Sequence, residues 1–168
     1  MQPRRLLLVR HAQAADAPVD ADRPLTERGT RHAAAIGAWL RRAGVVPDRV
    51  VVSPALRARQ TWELASARLA PDLPPLVDPR LYDNTVELLL AVIREAPDGG
   101  STVAVVGHNP SVGELASVLD NGTGAPAARR DLGTGFPPGA VAVFELATPF
   151  TAVEPGTATL TEFTVPRD

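Results

Sequence analysis

The apolar positions fall into short unbroken runs, separated by longer stretches in which apolar residues recur every three or four places. Leu6-Leu7-Leu8-Val9, Val50-Val51-Val52 and Val103-Ala104-Val105-Val106 are runs of the first kind. They are short for helices and lack the alternation of a half-exposed strand, so each reads as a strand buried on both faces. Between them the period is helical. Ala33, Ile36, Gly37 and Leu40 form one stripe, opened by Thr26 as N-cap behind Pro24-Leu25 and closed by Gly44. Ser53-Pro54 reads as the cap and first position of a second helix reaching about residue 69, with Leu64, Ala65 and Leu69 inward. Prolines at 71–75 break it, and Leu76-Val77 is a short edge segment. Asn84 opens a third helix with Leu89, Leu90 and Ile93 buried, stopped at Pro97-Asp98-Gly99-Gly100; Asn109-Pro110 opens a fourth that ends near Leu119. Two β-rich runs, 140–146 and 158–165, close the chain, the second alternating as an edge strand does. This succession predicts a three-layer α/β/α fold with a mostly parallel central sheet covered by helices on both faces. The Gly-, Pro- and Ala-rich stretch 121–139 reads as a linker between elements, with a mobile lid as the alternative. No repeat or boundary interrupts the chain, so residues 1–168 are expected to form one domain.

In an open parallel sheet, ligands bind beyond the carboxyl ends of the strands. Two of the buried runs end on polar side chains there, the first on Arg10-His11 and the third on Gly107-His108-Asn109. If those strands are neighbours, His11 and His108 face each other across one crevice. Arg57 and Arg59 fall in the first turns of the second helix, where free N–H groups and a partial positive charge favour an anion. A neutral imidazole can attack phosphorus when its other ring nitrogen is held as a donor, and guanidinium forks match phosphoryl oxygens. A second, protonated imidazole would add another donor. Arg10, His11, Arg57 and His108 therefore point to phosphoryl chemistry that requires no metal and no other cofactor. His32 lies off the apolar stripe and is expected at the surface. Asp16, Asp20 and Asp22 lack the glycine and glutamate spacing of a calcium loop and read as a solvated segment.

Composition narrows the chemistry further. Without cysteine there is no thiol nucleophile and no thiolate metal site; without lysine there is neither a Schiff base nor a Gly-Lys-Ser/Thr phosphate loop. A net charge of −2 with no basic face argues against nucleic acid as a partner. The run 6–9 is short for a signal peptide and Arg10 cuts it off; no segment is long and apolar enough to span a membrane. The expectation is a soluble, cytoplasmic protein with no membrane partner.

The same residues match a known pattern. Val9-Arg10-His11-Ala12 resembles the Arg-His-Gly signature of the histidine phosphatase superfamily, whose members share a phosphoglycerate-mutase-like fold. Ser53-Pro54-Ala55-Leu56-Arg57-Ala58-Arg59-Gln60-Thr61 resembles its Ser-x-x-x-Arg-Ala-x-Gln-Thr motif, and Gly107-His108-Asn109-Pro110 its second-histidine motif. Arg23-Pro24-Leu25-Thr26, followed by Gly29, is similar to a feature of the SixA-like phosphohistidine phosphatase branch. The resemblance implies that His11 is the nucleophile that becomes phosphorylated, that Arg10, Arg57 and His108 form the phosphate pocket, and that Arg23 contacts the phosphate or the substrate around it. Asn109, beside His108, is a further substrate-binding candidate. Ala12 stands where the family has glycine, which is tolerable only with a negative φ. The family's acidic proton donor has no clear match. Asp83 and Glu87 lie in the right part of the chain, although Asn84 with Glu87 also fits a capping box. The implied activity is that of a metal-independent phosphohydrolase acting on a phosphohistidine-bearing protein. A phosphatase of small phosphorylated metabolites and a non-catalytic phosphate-binding module are the alternatives.

Overall fold

The computed structural model describes residues 3–69 and 73–167. Its elements in chain order are β1 (Arg4–Arg10), α1 (Glu27–Ala43), β2 (Arg49–Val52), α2 (Leu56–Ser66), β3 (Leu76–Val77), α3 (Val86–Arg94), β4 (Thr102–Gly107), α4 (Ser111–Leu119), α5 (Pro126–Leu132), β5 (Val141–Leu146) and β6 (Ala158–Thr164). The strands form one mixed sheet in the order β3-β2-β4-β1-β5-β6. β1 pairs parallel to β4 and antiparallel to β5, and β5 pairs antiparallel to β6. The α/β architecture predicted from the alternating pattern is the one observed.

The unbroken apolar runs have a simple cause. Successive strand residues point to opposite faces, so a strand with helices on both sides needs an apolar residue at every position. In β1, Leu6 and Leu8 join the core shared with α3, α4 and α5, while Leu7 and Val9 join the core beneath α1 and α2. β4 divides in the same way, Val103 and Val105 to one side and Ala104 and Val106 to the other. Thr26 caps α1 by accepting from the Gly29 N–H (2.9 Å), and Gly44 ends it in the left-handed region at φ +68°.

Several expectations are corrected. His32 is buried, not on the surface: it lies four residues before Ile36 and three after Gly29, on the buried side of α1. α2 begins at Leu56, and its cap position is Ala55, whose methyl side chain cannot accept a bond; the Ser53 hydroxyl accepts from the Ala55 N–H and also meets His108. The inward face of α2 is Ala58, Trp62 and Ala65, with Leu64 and Leu69 only partly buried. The cap of α3 is Thr85, which accepts from the Leu88 N–H, so no capping box joins Asn84 to Glu87; Asn84 donates to the Leu81 carbonyl instead. α4 starts at Ser111, after a cis Asn109–Pro110 peptide. The stretch 121–139 is neither a plain linker nor a lid: it contains α5, with Ala128, Leu132 and Phe136 buried in the core. Of the proline break predicted at 71–75, residues 71 and 72 lie outside the described residues.

Candidate active site

The site grows from the pairing of β1 and β4. Their register sets Val9 beside Val106 and Arg10 beside Gly107, and the His11 N–H donates to the Gly107 carbonyl at 3.1 Å. The next residue on each strand is a histidine, and the two rings lie 5.2 Å apart at their centroids. His11 Nδ1 is 2.8 Å from the Ala12 carbonyl oxygen. A carbonyl only accepts, so Nδ1 carries the proton and Nε2 keeps its lone pair. Burial, reinforced by the charges of Arg57 and Arg10, pushes the His11 imidazole down to about 3, so it is neutral at ordinary pH. The Ala12 N–H donates to Thr61 Oγ1, and Thr61 in turn donates to the Arg57 carbonyl. No residue other than glycine has a positive φ among the described residues, so the methyl of Ala12 is unstrained.

Two guanidinium groups flank the histidines. Arg10 Nη1 donates to the Phe136 carbonyl at 2.9 Å, and its buried Nε has no partner among the described residues. Arg57, buried at the start of α2, donates through Nη1 to the Asp20 carbonyl (2.8 Å) and through Nη2 to the Asp20 carboxylate (3.1 Å); its Nε also has no partner among the described residues. Asp20 is a hub. It accepts from the Tyr82 hydroxyl as well and is 3.4 Å from Arg23 Nη1. Tyr82, ahead of Arg57 and Arg23, holds the Asp20 carboxyl down at about 2, and the same contact raises the phenol of Tyr82. The Tyr82 ring meets His108 edge-on at 5.7 Å.

His108 closes the other side. Its Nε2 is 2.7 Å from Oγ of Ser53, a wholly buried residue directly after β2, and the buried Nδ1 of His108 has no partner among the described residues. Burial first, then Arg57, pushes this imidazole down to about 4. The expectation of a protonated second histidine is therefore corrected: in the free protein His108 is neutral.

The chain is similar to known proteins along most of its length. The histidine phosphatase superfamily (branch 1) matches residues 6–87. An uncharacterised protein of Mycobacterium tuberculosis is 40% identical over 163 residues, 95% of this chain and 100% of that one. The phosphohistidine phosphatase SixA of Escherichia coli is 34% identical over 131 residues, covering 73% of this chain and 78% of that one. The chain belongs to the histidine phosphatase superfamily. Among solved structures, the protein histidine phosphatase SixA complexed with tungstate is similar at a TM-score of 0.79 and 31% identity, over 96% of this chain and 97% of that one.

In this histidine phosphatase the fold brings Arg10, His11, Arg57 and His108 together. Arg23 reaches the site's edge through Asp20, its Nε donating to the Ala15 carbonyl. Both ends of the Asn109 amide are engaged within the protein: Nδ2 donates to the Phe136 carbonyl and Oδ1 accepts from the Gly113 N–H. Asn109 thus braces the turn after β4 against the segment that follows α5. Asp83 and Glu87 are exposed, and neither enters the hydrogen-bonded network among the described residues. No histidine and carboxylate cluster able to hold a metal ion forms among the described residues. Sequence reasoning missed Ser53, Asp20 and Tyr82. For Ser53 a signal existed: it follows a buried strand directly, as His11 and His108 do. Asp20 and Tyr82 meet only through tertiary contact.

Proposed function

We propose that this phosphatase removes the phosphoryl group from phosphohistidine on a protein, with His11 as nucleophile. The observation that carries the reading is the His11 ring, neutral by burial, with its proton fixed on Nδ1 by the Ala12 carbonyl. Nε2 attacks phosphorus as the P–N bond of the substrate breaks, and the electron pair departs with the substrate imidazole, which takes up a proton. Water then attacks the phosphorus on His11, releasing inorganic phosphate and restoring the free ring. Arg10 and Arg57 neutralise charge on the phosphoryl oxygens in both steps. The similarity to phosphohistidine phosphatase SixA, and to a SixA structure holding tungstate, a tetrahedral oxyanion, supports the substrate class. A protein-borne phosphate is favoured by the connections after β2 and β4. Each is three residues long, which is little chain from which to wall in a small molecule.

The test is rapid quench with a phosphohistidine-bearing protein, run beside p-nitrophenyl phosphate and sugar phosphates. The expected result is an acid-labile, base-stable phosphate on His11 and turnover favouring the phosphoprotein. Label elsewhere would overturn the nucleophile. Preferential turnover of sugar phosphates through labelled His11 would make the protein a small-ester phosphatase.

A further inference from the structure

We propose that Ser53 is a positioning residue that fixes the neutral tautomer of His108, so that its Nδ1–H is aimed at the oxyanion in the phosphate pocket. The inference rests on the reading of this site as a phosphoryl pocket and concerns how its second histidine donates while uncharged.

The hydrogen bonds around Ser53 leave one arrangement. The Ser53 side chain is wholly buried, and its N–H is tied to the Val106 carbonyl at 3.1 Å, two residues before His108. Its Oγ accepts from the Ala55 N–H at 3.2 Å. A hydroxyl has a single hydrogen, and a buried one needs an acceptor. Among the described residues the acceptor in reach is His108 Nε2, at 2.7 Å. With Nε2 accepting from Ser53, a neutral imidazole must carry its proton on Nδ1. That nitrogen is buried and has no partner among the described residues. In the opposite arrangement, with Nε2–H donating to Ser53, both the serine hydrogen and the Nδ1 lone pair would be buried unpaired. Leaving such groups unsatisfied is unfavourable.

The surroundings agree with a neutral donor. His108 faces the His11 ring and the edge of Tyr82, under the charges of Arg57, Arg10 and Arg23, with Asp20 opposing them. Three guanidinium groups against one carboxylate disfavour a further positive charge. A tautomer set in advance supplies a donor without one, already oriented before the phosphoryl group arrives.

The chain has three histidines, so imidazole 15N spectra resolve the question directly. The expected result at neutral pH is the Nδ1–H tautomer for His108, with Nδ1–H shifting when tungstate is added. Ser53→Ala should convert His108 to a mixture of tautomers and lower kcat about 10-fold or more at little change in KM, while Ser53→Thr restores both signals. Wild-type kcat/KM should stay level between about pH 6 and 8, with no alkaline loss from deprotonation of His108. An Nε2–H tautomer or a protonated ring for wild-type His108 at neutral pH would overturn the proposal. So would a Ser53→Ala protein, folded by circular dichroism, whose His108 spectrum is unchanged. A correct tautomer in an enzyme inactive on phosphohistidine would sink the substrate reading instead and leave the role of Ser53 standing.

Discussion

Two arginines on one helix show how much a side chain's surroundings decide. Arg57 and Arg59 are two residues apart, yet Arg57 is 7% exposed and turned into the site, whereas Arg59 is exposed and returns its Nε to the Pro54 carbonyl. Arg57→Ala should therefore lower kcat by about 10²–10³, the scale of losing one preorganised charge-stabilising donor. Arg59→Ala should stay within about 3-fold, since a solvated guanidinium contributes little. Steady-state kinetics on a phosphohistidine protein checks both, and a larger loss at Arg59 would misplace the pocket. His11, His108 and Arg57 were legible in the sequence because buried strands must end and helix starts attract anions. Gln60 and Thr61 were legible only as motif letters. The structure gives them work: Gln60 Oε1 accepts from the Leu25 N–H and Thr61 Oγ1 from the Ala12 N–H, fastening the loop after β1 to α2. Asp20 escaped because an aspartate among three in a polar loop carries no local sign of the arginines it will meet.

At the scale of elements, sequence reasoning followed the rows of buried residues and failed where an element is too short to show a period. The strands and α1 were legible because each repeats its pattern. α5 spans seven residues, under two turns, with only Ala128 and Leu132 buried, so glycines and prolines around it dominated the reading. Contacts between elements are invisible in one sequence unless a residue type betrays them, and Gly37 is such a case. A Cβ placed there would lie 2.1 Å from the Ala65 carbonyl oxygen, so the backbones of α1 and α2 approach to a distance that only glycine permits. Alanine gains about 1 kcal/mol of helix propensity over glycine. Against this, a Cβ so close to a backbone oxygen puts the cost of prying two packed helices apart in the upper part of the overpacking range, about 2–3 kcal/mol. Gly37→Ala should therefore lower stability by roughly 1–2 kcal/mol, read as a lower midpoint in urea unfolding at unchanged slope. A neutral or higher midpoint would mean that α1 shifts freely on α2.

For the whole molecule, the buried histidines couple catalysis to stability. In the unfolded chain an imidazole titrates near 6.5, whereas in the folded protein His11 is held at about 3 and His108 at about 4, chiefly because burial disfavours their charged forms. Between those values and 6.5 the unfolded chain binds more protons than the folded one, so stability rises with pH across this window and is lost as pH falls through it. Asp20 acts in a lower range. Its carboxyl is held at about 2, so its contribution persists until pH falls below about 4, and its half-exposed side chain keeps that contribution small. A tenfold difference in proton affinity between the folded and unfolded chain is worth about 1.4 kcal/mol, which makes the histidine effect on the order of several kcal/mol between pH 7 and 4. Urea unfolding at pH 7, 5.5 and 4.5 should show stability dropping at each step. The double variant His11→Gln, His108→Gln, which keeps polar side chains at both strand ends but removes both titrations, should flatten the curve even if it is less stable at pH 7. An equally steep curve in the double variant would place the acid sensitivity elsewhere. A flat wild-type curve would mean that both rings titrate near 6.5 in the folded protein as in the unfolded chain, and that burial does not hold them neutral below that pH.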